Sequence, residues 1–202
     1  MVSRLETSAK VRIGGGTESE FAEIQAWRQA YAKMGFKPTK VRCASEALLR
    51  RLRQHGSLPR LHPLVDLCNA KSALSALPVA AFDLAKIAGD MKVCHATGQE
   101  TYLTFGGELE TPEAGEVIFR DHADNVHARR WVNRQSGLSA IQTTTTDALI
   151  VIEGLHETAN DDVAALRDQL AEEISRNWKG RVSTGQLVAG VGVFRTDGPS
   201  RA

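Results

Sequence analysis

A stretch of mainly apolar residues, 58–83, is the feature around which the rest of the chain is arranged. It predicts a helix that begins at Pro63, because the missing N–H of proline is tolerated in a first helical turn. Apolar residues fall on nearly every side of this helix, so it belongs in the core. One narrow polar stripe, Asp66, Asn69 and Ser72, runs along it. An unpaired buried polar group costs about 1–3 kcal/mol. The stripe therefore either closes an internal hydrogen-bond network or lines a pocket that a ligand fills.

Helical periodicity continues on both sides of this stretch. Thr17 and Glu20 form a capping box that opens a helix with regularly spaced apolar residues. Ser45 caps a second helix over about 46–55, and the spacing predicts an amphipathic helix over 160–178. We expect Val11–Ile13 to form a short strand and Ala81–Ile87 to add a helical turn or two.

From Met91 onward the period changes to that of β-strands. The predicted strands are Lys92–Ala96, Thr101–Phe105, Val117–Arg120, Val126–Asn133, Ala148–His156 and Leu187–Phe194. Helices followed by strands indicate an α+β fold rather than alternating α/β. We expect a single domain, 1–202, with N-terminal helices packed on a mostly antiparallel, β-sandwich-like sheet core and one long C-terminal helix.

The composition, 42% hydrophobic and 24% charged in 202 residues, is typical of a soluble globular protein. No apolar run is long enough to cross a membrane and no signal pattern opens the chain, so we expect a cytoplasmic location. Cys43, Cys68 and Cys94 form no Cys-x-x-Cys pair and are expected to be buried thiols. His122 and His127 flank a turn without zinc-ligand spacing. They are expected to be surface turn residues, and we expect neither metal nor cofactor.

The net charge of +1 conceals a segregation of charge along the chain. Nine basic residues lie between Arg28 and Arg60, against one acid, Glu46. Six acids lie between Glu157 and Glu173, against Arg167. These runs are either two solvated helix faces or, for the basic one, a footprint for the phosphates of a nucleic acid.

Three blocks in this chain have counterparts, in the same order, in one known module. Leu64–Asn69 is similar to V-V-D-V-T-N, Leu77–Asp83 to Q-P-L-H-A-F-D, and Ala148–Glu153 to a strand that ends in L-L-E. Together they resemble the tRNA-binding and editing domain of the phenylalanyl-tRNA synthetase beta subunit, over roughly residues 38–156. Nothing in the chain resembles the aminoacylation domain, so we expect a free-standing relative of the module.

The resemblance implies hydrolysis of the ester that joins a wrong amino acid to the 3′ end of tRNA, without a metal or a covalent intermediate. Asn69 matches the pocket asparagine of the family, and Glu153 matches the glutamate that recognises the polar end of the wrong side chain. Cys68 stands in place of a pocket threonine and Ala80 in place of a pocket histidine. Arg129-Arg130-Trp131 lies near the family's small A-G-x-M-G-G segment, where bulk and charge would reshape the pocket.

Further site residues come from their chemistry and position. His156 would supply what Ala80 lacks if a bulge at Gly154 turned it toward Glu153. Trp131 either stacks on a base or packs in the core. The expected tRNA contacts are basic residues: Arg50, Arg51, Arg53, Arg129 and Arg134. We find no G-x-S-x-G elbow and no Ser/His/Asp set in the sequence, which suits a reaction in which water is the nucleophile.

Three hypotheses follow. The first is a trans-editing hydrolase that deacylates a mischarged aminoacyl-tRNA. The second is a module that binds tRNA or an amino acid without catalysis, and the third is hydrolysis of a small aminoacyl ester or amide without tRNA. The first depends on one geometric expectation, that the Asn69 amide and the Glu153 carboxylate converge on a shared hollow.

Overall fold

A computed structural model describes residues 1–188 and 192–196 of the chain. Its helices are α1 (Val2–Ile13), α2 (Ala22–Lys33), α3 (Ala44–His55), α4 (Pro63–Ser75) and α5 (Ala159–Asn177). Its strands are β1 (Val79–Asp83), β2 (Lys92–His95), β3 (Thr101–Leu103), β4 (Leu109–Glu110), β5 (Val117–Arg120), β6 (Asn125–Arg129), β7 (Arg134–Gln135) and β8 (Ala148–Ile152). The α+β class predicted from the sequence is confirmed, including the long C-terminal helix.

The strands form two sheets that pack against each other. The larger has the order β2-β5-β6-β3-β4, with β7 paired to β6, and its pairs are antiparallel except β3 with β6. The smaller is an antiparallel ribbon of β1 and β8. Phe82 of the ribbon stacks on Phe119 of the larger sheet, with ring centroids 5.9 Å apart. Neither sheet closes into a barrel within the described residues.

Helix α4 lies at the centre, in contact with α1, α3, α5 and β1. Its polar stripe divides between the two expected roles. The Ser72 hydroxyl donates to the Leu77 carbonyl at 2.6 Å, and the Asp66 carboxylate accepts from the Leu61 N–H at 2.8 Å. The Asn69 side chain makes no hydrogen bond to another described residue and lies on the wall of a cavity. Two members of the stripe are therefore structural and the third faces open space.

The β1–β8 ribbon separates two packed regions, because alternate strand residues point to opposite faces. Val79, Ala81, Ile150 and Ile152 pack against α4 and α5. The alternate residues, Ala80, Phe82 and Val151, pack toward the larger sheet. The Glu153 N–H donates to the Pro78 carbonyl at 3.2 Å, which extends the ladder by one residue. Glu153 consequently shares the face of Val151.

Several local predictions are corrected. Val11–Ile13 is not a strand but the last turn of α1, where Ile13 packs in the helical core. Residues 81–83 belong to β1, and only Leu84–Lys86 form a 3-10 turn, because the ribbon partner β8 overrides the weak local preference of an alanine-rich segment. The predicted strand Leu187–Phe194 is wrong for 187–188 and 192–194, which are irregular, and 189–191 lie outside the described residues.

The remaining elements begin close to where the pattern predicts them, but the predicted strands Val126–Asn133 and Ala148–His156 end early, at Arg129 and Ile152, and Cys43 rather than Ser45 is the cap of α3. The Thr17 N–H donates to the Glu20 carboxylate at 3.0 Å, although this box opens a 3-10 turn, Glu18–Glu20, directly before α2. Cys43 and Cys68 are buried as expected, whereas Cys94 is half-buried. Within the part of the chain that is described, no helix is long and apolar enough to span a membrane.

Candidate functional site

A cavity of about 190 Å³ opens between α4, β1 and the segment that follows β7. Its most enclosed lining residues are Cys68, Val79 and Ala81, each less than 10% exposed. Its mouth is marked by Leu61 and Phe105, which are 70% and 72% exposed. The apolar floor and exposed apolar rim are those of a pocket that could accept a small organic group.

Three polar residues, His62, Asn69 and Gln135, line the same cavity, and we call them the polar wall. His62 caps α4: its Nδ1 accepts from the Leu64 N–H at 3.3 Å. His62 and Asn69 are seven residues apart and so share one face of the helix. The Gln135 side chain comes from β7 and donates to the Ala81 carbonyl at 2.7 Å. The side-chain amide of Asn69 and the side-chain oxygen of Gln135 have no hydrogen-bond partner among the described residues.

The segment on the far side of the cavity is held by a close backbone contact. The Gly137 N–H donates to the Leu103 carbonyl at 2.9 Å. A Cβ at Gly137 would lie 2.9 Å from the Thr104 carbonyl oxygen, so glycine is required there. This contact sets the segment bearing Ala140 and Ile141 beside Phe105, and all three line the cavity.

Glu153 lies behind the ribbon rather than in the cavity. Its Oε1 accepts a hydrogen bond from the Trp131 indole N–H at 2.6 Å. Burial raises the pKa of the Glu153 carboxyl to about 7, against the lowering effect of that hydrogen bond. The expectation that Asn69 and Glu153 converge on a shared hollow is therefore wrong. Alternate residues along each strand of the ribbon point to opposite sides. Ile152 lies on the side that packs against α4 and α5, and Glu153, the next residue, points to the other side.

The other predicted substrate-binding residues are also separated from the cavity, apart from Cys68. Ala80 packs beside Trp131 on the inner face of the ribbon. Arg130 and Trp131 have φ of +48° and +58°, so β6 ends at Arg129 and the strand alternation stops. Trp131 packs edge-on against Trp27, with ring centroids 5.2 Å apart, and the Arg130 guanidinium lies 5.4 Å from the Phe36 ring centre.

The family model of the B3/4 domain matches residues 26–179. The chain belongs to the B3/4 domain family. This is the family of the editing region of the phenylalanyl-tRNA synthetase beta subunit, which places the chain among proteins of tRNA-related context. No protein with a curated description matches the chain.

In this B3/4 domain, His156 is tied to the start of α5. Its Nε2 lies 2.8 Å from the Asp162 carboxylate, which also accepts from the Thr158 hydroxyl at 2.6 Å. The strand β8 ends at Ile152, so no bulge at Gly154 turns His156 toward Glu153. His156 does not line the cavity.

The predicted tRNA-binding arginines of the B3/4 domain differ in their exposure and in their ion pairs. Arg129 is 5% exposed, and its guanidinium is paired with Glu116 at 2.8 Å and with Glu110 at 2.6 Å. This inward pairing leaves it no exposed face for a phosphate. Arg134 is paired with Glu110 at 2.9 Å but is partly exposed.

The arginines of α3 divide in the same way. Arg53 and Arg50 lie 2.9 Å and 3.6 Å from the carboxylate of Glu18, which is itself buried. Arg51 is exposed and has no ion pair to another described residue. Glu18 thus neutralises part of the basic run, and Arg51 is the most available of the three cations.

One cluster that the sequence does not reveal consists of Asp121, His127 and Ser139. The His127 ring lies 3.1 Å from the Asp121 carboxylate through Nε2 and 2.9 Å from the Ser139 hydroxyl through Nδ1. All three are buried, so His127, unlike the exposed His122, is not the surface turn residue that we predicted. Hydrogen bonds from Ala88, Asn125 and His127 outweigh burial and lower the pKa of Asp121 to about 2. The spacings match no catalytic motif, and only the turn after β7 brings Ser139 to His127.

Proposed function

We propose that this chain is a trans-editing hydrolase that deacylates a mischarged aminoacyl-tRNA, with the ester bound in the cavity beside Asn69. The observation that carries the proposal is the Asn69 amide, which lines a cavity of about 190 Å³ without a protein hydrogen bond. Buried polar groups are normally paired, and the partly buried Asn69 presents its side-chain amide to the cavity instead. Membership of the B3/4 family supports a substrate carried on tRNA.

Hydrolysis of an aminoacyl ester needs a positioned water and a donor for the developing oxyanion. The Asn69 amide N–H donates to that oxyanion in our proposal. Gln135 uses its N–H on the Ala81 carbonyl, so its oxygen is available to accept from the attacking water. The water oxygen bonds to the ester carbon, the bond to the ribose oxygen breaks, and one proton of the attacking water passes to that oxygen, so that the products are the free amino acid and the ribose hydroxyl.

His62 contributes a donor rather than a base. Its Nδ1 already accepts from the Leu64 N–H, so in the neutral ring the proton resides on Nε2. That N–H would hold a carbonyl or hydroxyl of the substrate at the cavity mouth. The proposed centre therefore retains Asn69 from the sequence prediction and adds Gln135 and His62.

The other predicted site residues take indirect roles in this proposal. Cys68 supplies part of the apolar floor. Glu153, Ala80, Trp131 and Arg130 support the ribbon from behind, and the His156–Asp162 pair fixes the start of α5. None of the residues behind the ribbon or at the start of α5 needs to touch the ester.

The RNA would approach across the exposed rim. Phe105 is 72% exposed at the cavity mouth, where it can stack on the terminal base. Such stacking contributes about 1–3 kcal/mol per base. We assign phosphate contacts to Arg50, Arg51 and Arg53 of α3 and to Arg134, and we omit Arg129 because it is buried and paired.

The decisive experiment is incubation of the chain with one tRNA charged in turn with a panel of amino acids. We expect at least one ester to be hydrolysed well above its spontaneous rate, and the Asn69→Ala variant to lose that activity. The exposed Asn160→Ala variant on α5 is the matched control. Spontaneous rates for every member of the panel would contradict the proposal.

A second candidate function is tRNA or amino-acid binding without catalysis. It is favoured by the absence of a carboxylate from the described lining of the cavity, since Glu153 is held by Trp131 instead. This function predicts tRNA binding that weakens with salt, with no hydrolysis. Hydrolysis of a small ester without tRNA, in contrast, would be insensitive to salt and to neutralisation of Arg50, Arg51 and Arg53.

A further inference from the structure

The chemistry of the cavity changes from its floor to its mouth. The floor consists of Cys68, Val79 and Ala81, all less than 10% exposed and none with a strong hydrogen-bonding side chain. Ile141 adds a half-buried apolar wall. The polar wall of Asn69, Gln135 and His62 contains no carboxylate, ammonium or guanidinium group. A bound group therefore meets apolar surface at the floor and hydrogen-bonding groups at the wall.

Charged side chains that belong to neighbouring segments do not reach the floor. The Glu153 carboxylate is on the opposite face of the ribbon, bound to Trp131. Among the described lining residues of the cavity there is no Asp, Glu, Lys or Arg. A buried charge without a partner is strongly disfavoured, and a buried hydroxyl without one also costs free energy. The floor therefore disfavours side chains that carry a charge or a hydroxyl group.

The size of the cavity sets the second limit. A dry cavity of about 150 Å³ accepts a benzene ring, and this cavity measures about 190 Å³. It has room for a branched aliphatic side chain or a single phenyl ring. It does not have room for a bicyclic side chain together with the ester and amino group.

We infer that the cavity recognises aminoacyl groups whose side chains are uncharged, apolar and no larger than phenylalanine, and that it disfavours tyrosine. This inference rests on the proposed function, since it takes the cavity as the site of the aminoacyl group. In it the side chain lies on the Cys68–Val79–Ala81 floor, while the α-amino group and the carbonyl meet Asn69 and Gln135. An apolar pocket rejects an added hydroxyl by at most about 100-fold, so we expect phenylalanine to be preferred over tyrosine by about 10- to 100-fold.

The test separates recognition from hydrolysis by using adenosine analogues in which an amide replaces the 3′ ester. Amides of leucine, phenylalanine, tyrosine, lysine and aspartate are titrated against the intact chain. We expect the leucine and phenylalanine amides to bind at least about tenfold more tightly than the tyrosine amide, and the charged amides more weakly still. Equal or tighter binding of the tyrosine, lysine or aspartate amide would overturn the inference, and so would binding of none.

Two variants locate the effect. Ile141→Ala enlarges the cavity wall and should weaken the leucine amide about tenfold, because loss of one or a few methylene contacts costs 10- to 200-fold in an apolar pocket. Ile87→Ala removes an equally half-buried side chain from the other side of the ribbon and should leave that affinity unchanged. An identical response of the two variants would overturn the inference. If the amides show the expected order but no aminoacyl-tRNA is hydrolysed, the inference stands and the hydrolase proposal fails.

Discussion

The Asp121–His127–Ser139 cluster and the polar wall beside Asn69 contain similar chemical groups but differ in how many of those groups have partners. In the cluster, the His127 ring is bonded on both nitrogens and all three residues are buried. In the polar wall, the Asn69 amide and the Gln135 oxygen have no partner among the described residues. The Asp121–His127–Ser139 cluster resembles a catalytic set by residue type, but its hydrogen-bonding groups are already paired. The polar wall has unpaired groups that a ligand can bind. Our proposal therefore places the function at the unsatisfied polar groups beside the cavity rather than in the buried cluster.

The largest effect is expected from His127→Ala, which should lower the free energy of unfolding by about 3–5 kcal/mol because it leaves a cavity where a fully buried ring packed. Urea unfolding measures the loss. Ser139→Ala, which removes only a hydroxyl, should cost about 1 kcal/mol. Deacylation per folded molecule should be unchanged in Ser139→Ala. A loss of activity in that variant at full folding would mean that the buried cluster, and not the polar wall, carries the chemistry.

Asn69→Ala should have the opposite effect: a large loss of activity with little loss of stability. Removal of one oxyanion donor typically lowers the rate by about 100-fold or more, which is close to 3 kcal/mol of activation free energy. The free energy of unfolding should change by less than about 0.5 kcal/mol, because Asn69 makes no protein hydrogen bond. Rates with the preferred aminoacyl-tRNA and a parallel urea titration check both halves. A strongly destabilised Asn69→Ala would show that this amide is structural after all.

Glu153 and Asp121 are predicted to respond to pH with opposite sign. Burial raises the pKa of Glu153 to about 7, so between its unfolded pKa and 7 the folded chain binds more protons and stability falls as pH rises. The pKa of Asp121 is lowered to about 2, so its contribution is lost as pH falls toward that value. Glu153→Gln should therefore reduce the stability difference between pH 5 and pH 8 by about 2 kcal/mol.

The control for this pH experiment is the exposed Glu157→Gln variant, which should retain the wild-type pH profile. Trp131 fluorescence gives a local readout, because its indole donates to the Glu153 carboxylate. A profile that is flat between pH 5 and pH 8 in the wild type would refute the raised pKa.

The sequence predicted the parts of this architecture that depend on periodicity. The position of α4 and the start of β8 at Ala148 follow from spacing along one element, whereas the predicted strand Ala148–His156 ends early, at Ile152. The direction in which the Glu153 side chain points could not be predicted from spacing. It depends on how the ribbon of β1 and β8 packs against the rest of the molecule, which is a tertiary property. Trp131 packs in the core, one of its two expected roles, but the predicted strand Val126–Asn133 ends at Arg129 because Arg130 and Trp131 adopt positive φ, for which their side chains give no local indication.

The residues that complete the polar wall were missed for a related reason. Gln135 reaches the cavity through the two-residue strand β7, and His62 through its role as the cap of α4. A histidine at a helix N-cap lies outside the usual Ser, Thr, Asp or Asn preference. The resemblance motifs do not include either position. Only the three-dimensional contact with the Ala81 carbonyl assigns Gln135 to the site.

The smallest expected effect extends the same comparison of paired and unpaired groups to the arginines of α3. Arg51 has no ion pair among the described residues, whereas Arg53 is bound to the buried Glu18 at 2.9 Å. If tRNA binds this helix, Arg51→Gln should weaken binding by less than about tenfold and reduce the slope of log K against log salt by about 1. Stability should not change, since an exposed unpaired arginine contributes little.

Arg53→Gln should instead destabilise the chain, because it removes the closer partner of a buried carboxylate. Arg176→Gln on the acidic helix α5 is the control for nonspecific charge. An equal salt slope for Arg51→Gln and Arg176→Gln would place the tRNA elsewhere.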